Sequence, residues 1–251
     1  MVTFTDSIPE MTKKDWFTDW FNTPYYHILY SDRNDADAQL FMKNITQFLQ
    51  LPKEAHILDI PCGKGRHALF LNSLGYKITG GDLSMNSISY AKQFENKRLK
   101  FEIHDMRKPF QNKYDAVFNL FTSFGYFEDD KDDILVLKNI KDGLANDGVF
   151  VFDFLNPDKV KASLVENEIK NVDGINFHLQ REIKNGFIFK HISFYADGEN
   201  HSYTERVKYL DIEKMTTFLE KVGFKITNTF GDYNLSNFDK QTSNRLIIIA
   251  K

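Results

Sequence analysis

Apolar residues along the chain switch between two spacings, and the switches mark out its elements. Through Leu40, Phe41, Ile45, Phe48 and Leu49 they recur at helical spacing. Leu51-Pro52 ends that helix, because the residue before a proline is pushed out of the α region. His56–Ile60 is a short run of buried-strand type, and Ala68, Leu69, Leu71 and Leu74 resume the helical period within Gly65–Leu74. Lys77–Asp82, Leu99–Asp105, Tyr114–Phe121 and Gly148–Leu155 read as four further strands. Between them Ser84 stands as an N-cap before Met85, Ile88 and Ala91, and Ile134, Leu137 and Ile140 form the stripe of a helix over 130–144. Strands alternating with helices imply parallel βαβ units in a doubly wound α/β sheet.

After Asn156-Pro157 the period becomes two. Ile175, Phe177, Leu179 and Ile183 alternate with Asn176, His178, Gln180 and Glu182. Asn185-Gly186 follows, a pair suited to the positive φ angles of a type I′ hairpin turn. Phe187–Tyr195 and Tyr203–Tyr209 extend this into an antiparallel meander. Asp211 then caps a helix carrying Ile212, Met215, Phe218, Leu219 and Val222, and Phe224–Phe230 and Arg245–Ala250 close the chain as strands. The pattern predicts a seven-stranded, mostly parallel sheet interrupted by a three-stranded antiparallel insertion at about 174–209. In domain terms, 1–50 is an N-terminal helical lid, 51–157 with 210–251 the α/β core, and 158–209 the insertion, read as a substrate cap or a dimer contact.

Composition narrows the function classes. With 32 basic and 35 acidic side chains, a net charge of −3 and no long basic run, the chain is a poor partner for nucleic acid. One cysteine excludes a disulfide framework and a Cys-rich zinc site, and no metal is expected. No apolar run approaches the roughly 18 residues needed to span a bilayer, and none near the start has signal-peptide length. The expectation is a cytoplasmic protein, monomer or homodimer, with no membrane partner. Aromatic residues reach 15%, and they gather at 16–30, 121–127 and 187–209, which suggests a cleft for a flat or apolar small molecule.

The segment with most chemistry is Ile57-Leu58-Asp59-Ile60-Pro61-Cys62-Gly63-Lys64-Gly65-Arg66-His67-Ala68. A strand runs into a glycine turn and out into a helix, so backbone N–H groups and close approach are available to a ligand. Alone, Gly63-x-Gly65-x-x-Ala68 also satisfies the dinucleotide pattern of an NAD-dependent oxidoreductase. Asp59 inside the strand argues against that reading. Asp82 ends the second strand, where a carboxylate can accept from a ribose diol, and Asp105 ends the third, where it can accept from an adenine amine. All three acids stand at carboxyl ends of predicted parallel strands, the edge where open α/β sheets bind ligands.

The run LDIPCGKGRHALFL, followed by GDLS, HDMRKPF, YDAVFNLFTSFGYF and GVFVFDFLN, resembles the class I S-adenosylmethionine-dependent methyltransferases. The resemblance spans roughly 20–250 and is of motif grade over 57–156. It implies a Rossmann-like methyltransferase fold with strand order 3-2-1-4-5-7-6, the seventh strand antiparallel. It implies methyl transfer from S-adenosylmethionine to O, N or C of a small-molecule substrate by SN2 displacement; a cofactor-binding module without catalysis is the alternative. By the same resemblance, Asp59, Pro61, Cys62, Gly63 and Gly65 hold the methionine portion, Asp82 and Leu83 the ribose, Asp105 and Met106 the adenine, and Asn119 sits near the transferring methyl. Pro61 replaces the usual first glycine and Arg66 stands at the third. Tyr26 and Arg33 are candidates to reach the cofactor carboxylate from a lid, or belong to a packed amphipathic helix. His67, His27 and His104 are candidate bases, with His67 equally readable as a helix-start histidine satisfied by backbone. Arg66, Phe124, Tyr126, Arg181 and Arg206 are candidate substrate contacts, together with Glu205.

Overall fold

Every side chain of β1 (His56–Asp59) after its first is buried, so the strand needs cover on both faces and lies mid-sheet. The structure is a computed structural model describing residues 16–31 and 35–251. β1 pairs in parallel with β2 (Lys77–Asp82) on one side and β4 (Tyr114–Asn119) on the other. β3 (Leu99–Ile103) adds in parallel beyond β2, and β5 (Leu144–Leu155) beyond β4. The closing strands β10 (Ile226–Phe230) and β11 (Arg245–Ala250) form an antiparallel pair, with β11 antiparallel to β5. Among the described residues the order is β3-β2-β1-β4-β5-β11-β10, the seven-stranded arrangement that the resemblance implied. Helices α3 (Asp35–Leu49), α4 (Arg66–Ser73), α5 (Met85–Ala91), α6 (Asp130–Gly143) and α8 (Ile212–Lys221) accompany it. None of the described helices is long and apolar enough to cross a membrane.

Local chemistry sets where the site-forming helices begin. α4 starts at Gly65, whose φ of +86° and contact with Phe101 leave no room for a side chain: a Cβ there would lie 2.7 Å from the ring. Ser84 caps α5 by accepting from the Ser87 N–H at 3.1 Å. Asp129 caps α6, whose first turn holds Asp130, Asp132 and Asp133, where the helix dipole favours negative charge.

The insertion differs from the sequence reading. It holds four antiparallel strands, not three: β6 (Asn167–Val172), β7 (Ile175–Lys184), β8 (Phe187–Ala196) and β9 (Glu199–Lys208). α7 (Pro157–Ala162), capped by Asn156, leads into it. β6 lacks the alternation of an amphipathic strand, since only Ile169 and Val172 are apolar and Ile169 is exposed. Each hairpin turns on a positive-φ pair: Asp173-Gly174, Asn185-Gly186 and Asp197-Gly198. The sheet is anchored to the core by Lys208. Its ammonium, 2% exposed, lies 2.5 Å from Asp133 and 2.7 Å from Asp130 on α6. Two short helices, α1 (Trp16–Phe21) and α2 (Pro24–Leu29), pack against the insertion, with Trp20 4.5 Å from Tyr203 ring to ring.

Candidate functional site

The carboxyl ends of the parallel strands open into a cavity of about 670 Å³. Its floor is the Ile60–Lys64 turn, Asp82–Ser84, His104–Arg107 and Leu120–Ser123. Its roof comes from α1, α2 and the strands β7, β8 and β9.

At the turn, Gly63 has φ +55°, and a Cβ built on it meets nothing within 4 Å. Its N–H donates to Asp82 Oδ2 at 2.7 Å, while the Ser84 N–H donates to Oδ1 at 2.8 Å. Each Asp82 oxygen thus spends one lone pair on the backbone and retains acceptor capacity at the cavity wall. Burial pushes the Asp82 carboxyl above its ordinary value, and these amide donors oppose the shift. Asp59 lies under the turn at 0% exposure. Burial first, and the Asp82 charge second, raise its pKa to about 8, against weaker pulls from the Ala68 N–H and Arg66. Neither Asp59 oxygen makes a well-formed hydrogen bond to the described residues. Asn119 donates to the Ile60 carbonyl at 2.8 Å and the Ser123 carbonyl at 3.2 Å, tying β4 to the turn, while its Oδ1 has no hydrogen-bond partner there. An open glycine turn above buried acceptors, beside a rim carboxylate with spare lone pairs, fits a polar cationic ligand with hydroxyl groups. Those are the features of S-adenosylmethionine's amino-acid and ribose portions.

Asp105 is more fully engaged. Burial works against its charge, but Arg107 donates to both carboxylate oxygens through Nε and Nη2, and the pairing holds the acid below its usual range. The Arg107 guanidinium also lies 4.9 Å from the Phe127 ring.

Pro61, Cys62, Gly63, Asp82, Leu83, Asp105, Met106 and Tyr26 line the cavity, as do Arg66, His67, His27, His104, Tyr126 and Arg181. The Ile60–Pro61 peptide is cis. Asp59 and Asn119 sit beneath the floor, and Gly65 faces away toward Phe101 and Ala91. Arg33 lies outside the described residues. Two expected substrate contacts are corrected. Phe124 is 0% exposed and packs edge-on against Phe152 at 5.6 Å, a core residue turned inward past the positive-φ pair Phe121-Thr122. Arg206, 4% exposed, lays its guanidinium 4.9 Å from Phe187 and donates to the Tyr126 carbonyl at 3.5 Å, so it braces the insertion and does not reach the cavity. Among the histidines, His104 stacks on Phe110 and contacts the Lys108 carbonyl at 3.2 Å, while His67 lies 4.8 Å from the Phe121 ring.

The fold also brings in Arg245 and Lys190, which sequence reasoning missed, and gives partners to Glu205 and the 16–30 aromatic residues it had singled out. Arg245 reaches the cavity from the start of β11, held by buried Asp153 at 2.7 Å. The same Asp153 accepts from the Phe121 N–H at 2.9 Å, and its carbonyl accepts from the Thr122 N–H at 2.9 Å. These bonds hold Phe121 and Thr122 at φ +57° and +65°, uncommon for such side chains, and end β4 two residues earlier than expected. The visible signal was an acid inside the buried strand Val149–Leu155, which requires a partner. On the roof, Glu205 accepts from Trp20 Nε1 at 2.7 Å and from the Tyr30 hydroxyl at 2.6 Å, and Lys190 donates to that hydroxyl at 2.7 Å. Those bonds pin α1 and the end of α2 to the insertion. Trp16 and Phe17 complete the wall with Tyr126, at ring separations of 5.5 and 5.9 Å.

A family model described as a methyltransferase domain matches residues 51–223. The putative methyltransferase YqeM of Bacillus subtilis (strain 168) is 24% identical over 194 residues, covering 73% of this chain and 78% of that one. The glycine/sarcosine N-methyltransferase of Parasynechococcus marenigrum (strain WH8102) is 25% identical over 201 residues, covering 74% and 70%. Among solved structures, an S-adenosylmethionine-dependent methyltransferase from Clostridium acetobutylicum superposes with a TM-score of 0.76 at 19% identity, covering 90% of this chain and 95% of that one. At that identity the likeness is one of fold.

Proposed function

This chain belongs to the methyltransferase-domain family as an S-adenosylmethionine-dependent methyltransferase, and from that premise we propose that it methylates an O, N or C atom of a small molecule held in the cavity. The observation that carries the reading is the juxtaposition around one cavity. Open Gly63 and the Asp82 carboxylate lie on the floor, buried Asp59 lies directly beneath it, and an aromatic wall faces them. The volume of the cavity suits a small acceptor beside the cofactor. The relative named for glycine and sarcosine supports an acceptor of small size.

Bound S-adenosylmethionine supplies a methyl group on a sulfonium, activated for direct displacement. The chain's own task is to bind and align. In this reading Gly63 and Asp59 receive the methionine portion, Asp82 with Leu83 the ribose, and Met106 the adenine, flanked by the Asp105–Arg107 pair. Phe17, Phe21, Tyr26 and Tyr126 exclude water and present ring faces favourable to positive charge. Alignment of nucleophile and electrophile is worth about 7–11 kcal/mol in favourable cases, so little further machinery is needed. Where the acceptor must lose a proton, His67, which lines the cavity next to Arg66 in the chain, is the candidate base.

Calorimetric titration with S-adenosylhomocysteine and transfer of labelled methyl into a metabolite panel test the proposal. Saturable cofactor binding with label incorporation is expected. Tight NADH binding without S-adenosylhomocysteine binding would sink it.

A further inference from the structure

A sheet edge presents unpaired backbone, and natural proteins bulge it, charge it or cover it. Among the described residues the two sheets end on β3, β10, β9 and β6, and the first three are treated in this way. On β3 the Phe101 N–H donates to Glu95 Oε1 at 2.7 Å. β10 is interrupted by a register shift between Ile226 and Asn228. β9 is held by the core, its Lys208 N–H donating to the Gly125 carbonyl at 2.8 Å. β6 has none of these devices: its pairing with β7 is unbroken, it contains no proline, and Ile169 near its centre is 65% exposed.

Register decides which backbone groups of β6 are open. The Arg181 N–H donates to the Glu166 carbonyl at 2.7 Å, which makes 166 and 181 a hydrogen-bonded pair. Bonding alternates along an antiparallel ladder, so Glu168, Lys170 and Val172 also bond toward β7, while Asn167, Ile169 and Asn171 turn their N–H and C=O groups outward. The segment Asn167-Glu168-Ile169-Lys170-Asn171 is complementary to itself when reversed. Laid antiparallel on a second copy about Ile169, it sets Ile169 opposite Ile169, Asn167 opposite Asn171 and Glu168 opposite Lys170, and no charge meets its like. Centred on Asn167, the same pairing would bring Glu166 against Glu168, which is unfavourable. Centred on Asn171, it would run into the Asp173-Gly174 turn.

We propose that the chain forms a homodimer through β6, the two insertions joining edge to edge in one continuous antiparallel sheet with a twofold axis at Ile169. Glu168 and Lys170 stand opposite buried Leu179 and Phe177 on one face, so the two Ile169 side chains meet on the other. The contact is isologous and small, so assembly depends on concentration. It lies directly behind the cavity roof, because Glu168 on β6 holds cavity-lining Arg181 at 2.6 Å. The inference is independent of the methyl-transfer reading.

Sedimentation velocity of the full chain, over a concentration series carried to the limit of solubility, should show a monomer–dimer equilibrium. Ile169→Cys places two thiols across a hydrogen-bonded antiparallel pair, where Cα atoms lie about 5.5 Å apart, within the span of a disulfide. Mild oxidation should then give a covalent dimer on a non-reducing gel, about tenfold or more faster than Asn167→Cys, whose opposite residue is Asn171. The wild-type chain is the blank, since its one cysteine, Cys62, is buried. Ile169→Lys sets like charges face to face at an exposed position and should raise the dimer dissociation constant about tenfold or more, with the far-UV circular dichroism unchanged. A chain monomeric throughout the series, Asn167→Cys cross-linking as fast as Ile169→Cys, or a dimer undiminished in Ile169→Lys would overturn the proposal.

Discussion

Asp59→Asn is expected to make the cofactor-free protein more stable at neutral pH and to weaken its cofactor binding. The wild-type carboxyl is 0% exposed, and its pKa rises from 3.8 to about 8 in the folded state. At pH 7 the unfolded chain carries this acid ionised, whereas the folded protein must protonate it. The folded state therefore binds more protons between those two values, and stability falls as pH rises through the interval. Each pH unit costs about 1.4 kcal/mol, so roughly three units give about 4 kcal/mol at pH 7. Asparagine keeps the shape and needs no proton, so the variant escapes that cost. For a chain of this size the gain corresponds to a melting-temperature rise on the order of 10 °C. Thermal unfolding at pH 5, 7 and 8.5 reads it out: the advantage of the variant should grow with pH and level off above about 8. With S-adenosylhomocysteine the order reverses in binding, the variant losing about tenfold or more, because a carboxylate that can face an ammonium has gone. A variant no more stable than wild type at pH 7, or an advantage independent of pH, would refute the assignment of Asp59 as a buried acid held neutral until its ligand arrives.

Asp82→Ala should weaken S-adenosylhomocysteine binding by more than about tenfold in calorimetry, since two acceptor sites and the tie to Gly63 are lost together; an unchanged dissociation constant contradicts the ribose assignment. Lys208→Met removes the buried cation between Asp133 and Asp130, and urea denaturation should show a loss of about 3–5 kcal/mol. Burial, opposed by Lys208, raises the Asp133 pKa to about 6, so the loss should shrink toward pH 5 as the stranded acid takes up a proton. Gly65→Ala forces a Cβ into the Phe101 ring at φ +86°, and a destabilisation of about 2 kcal/mol or more is expected in the same assay.

Much of the core was legible because each signal is local. Turn chemistry announces itself in two residues, as Asn185-Gly186 did; Asp173-Gly174, between β6 and β7, carried the same message and would have revealed the fourth inserted strand. β6 was missed because its partner β7 buries the apolar surface that β6 lacks, so its backbone pairing has no periodic trace. The aromatic cluster at 121–127 points to the right region, yet it does not say which ring faces in. Phe121 lines the cavity and Phe124 lies in the core, a choice set by two positive-φ residues and the Asp153 bonds that hold them.

The spacing of apolar residues and the strand-end acids determined the α/β order and the floor of the cavity, because alternation, glycine turns and Asp59, Asp82 and Asp105 act over a few residues or through one parallel sheet edge. Tertiary structure alone decided which basic side chains gather at the cavity. Arg66 comes from α4, Arg181 and Lys190 from the paired strands β7 and β8, and Arg245 from β11, and a charge field in a cavity depends on which side chains share the space.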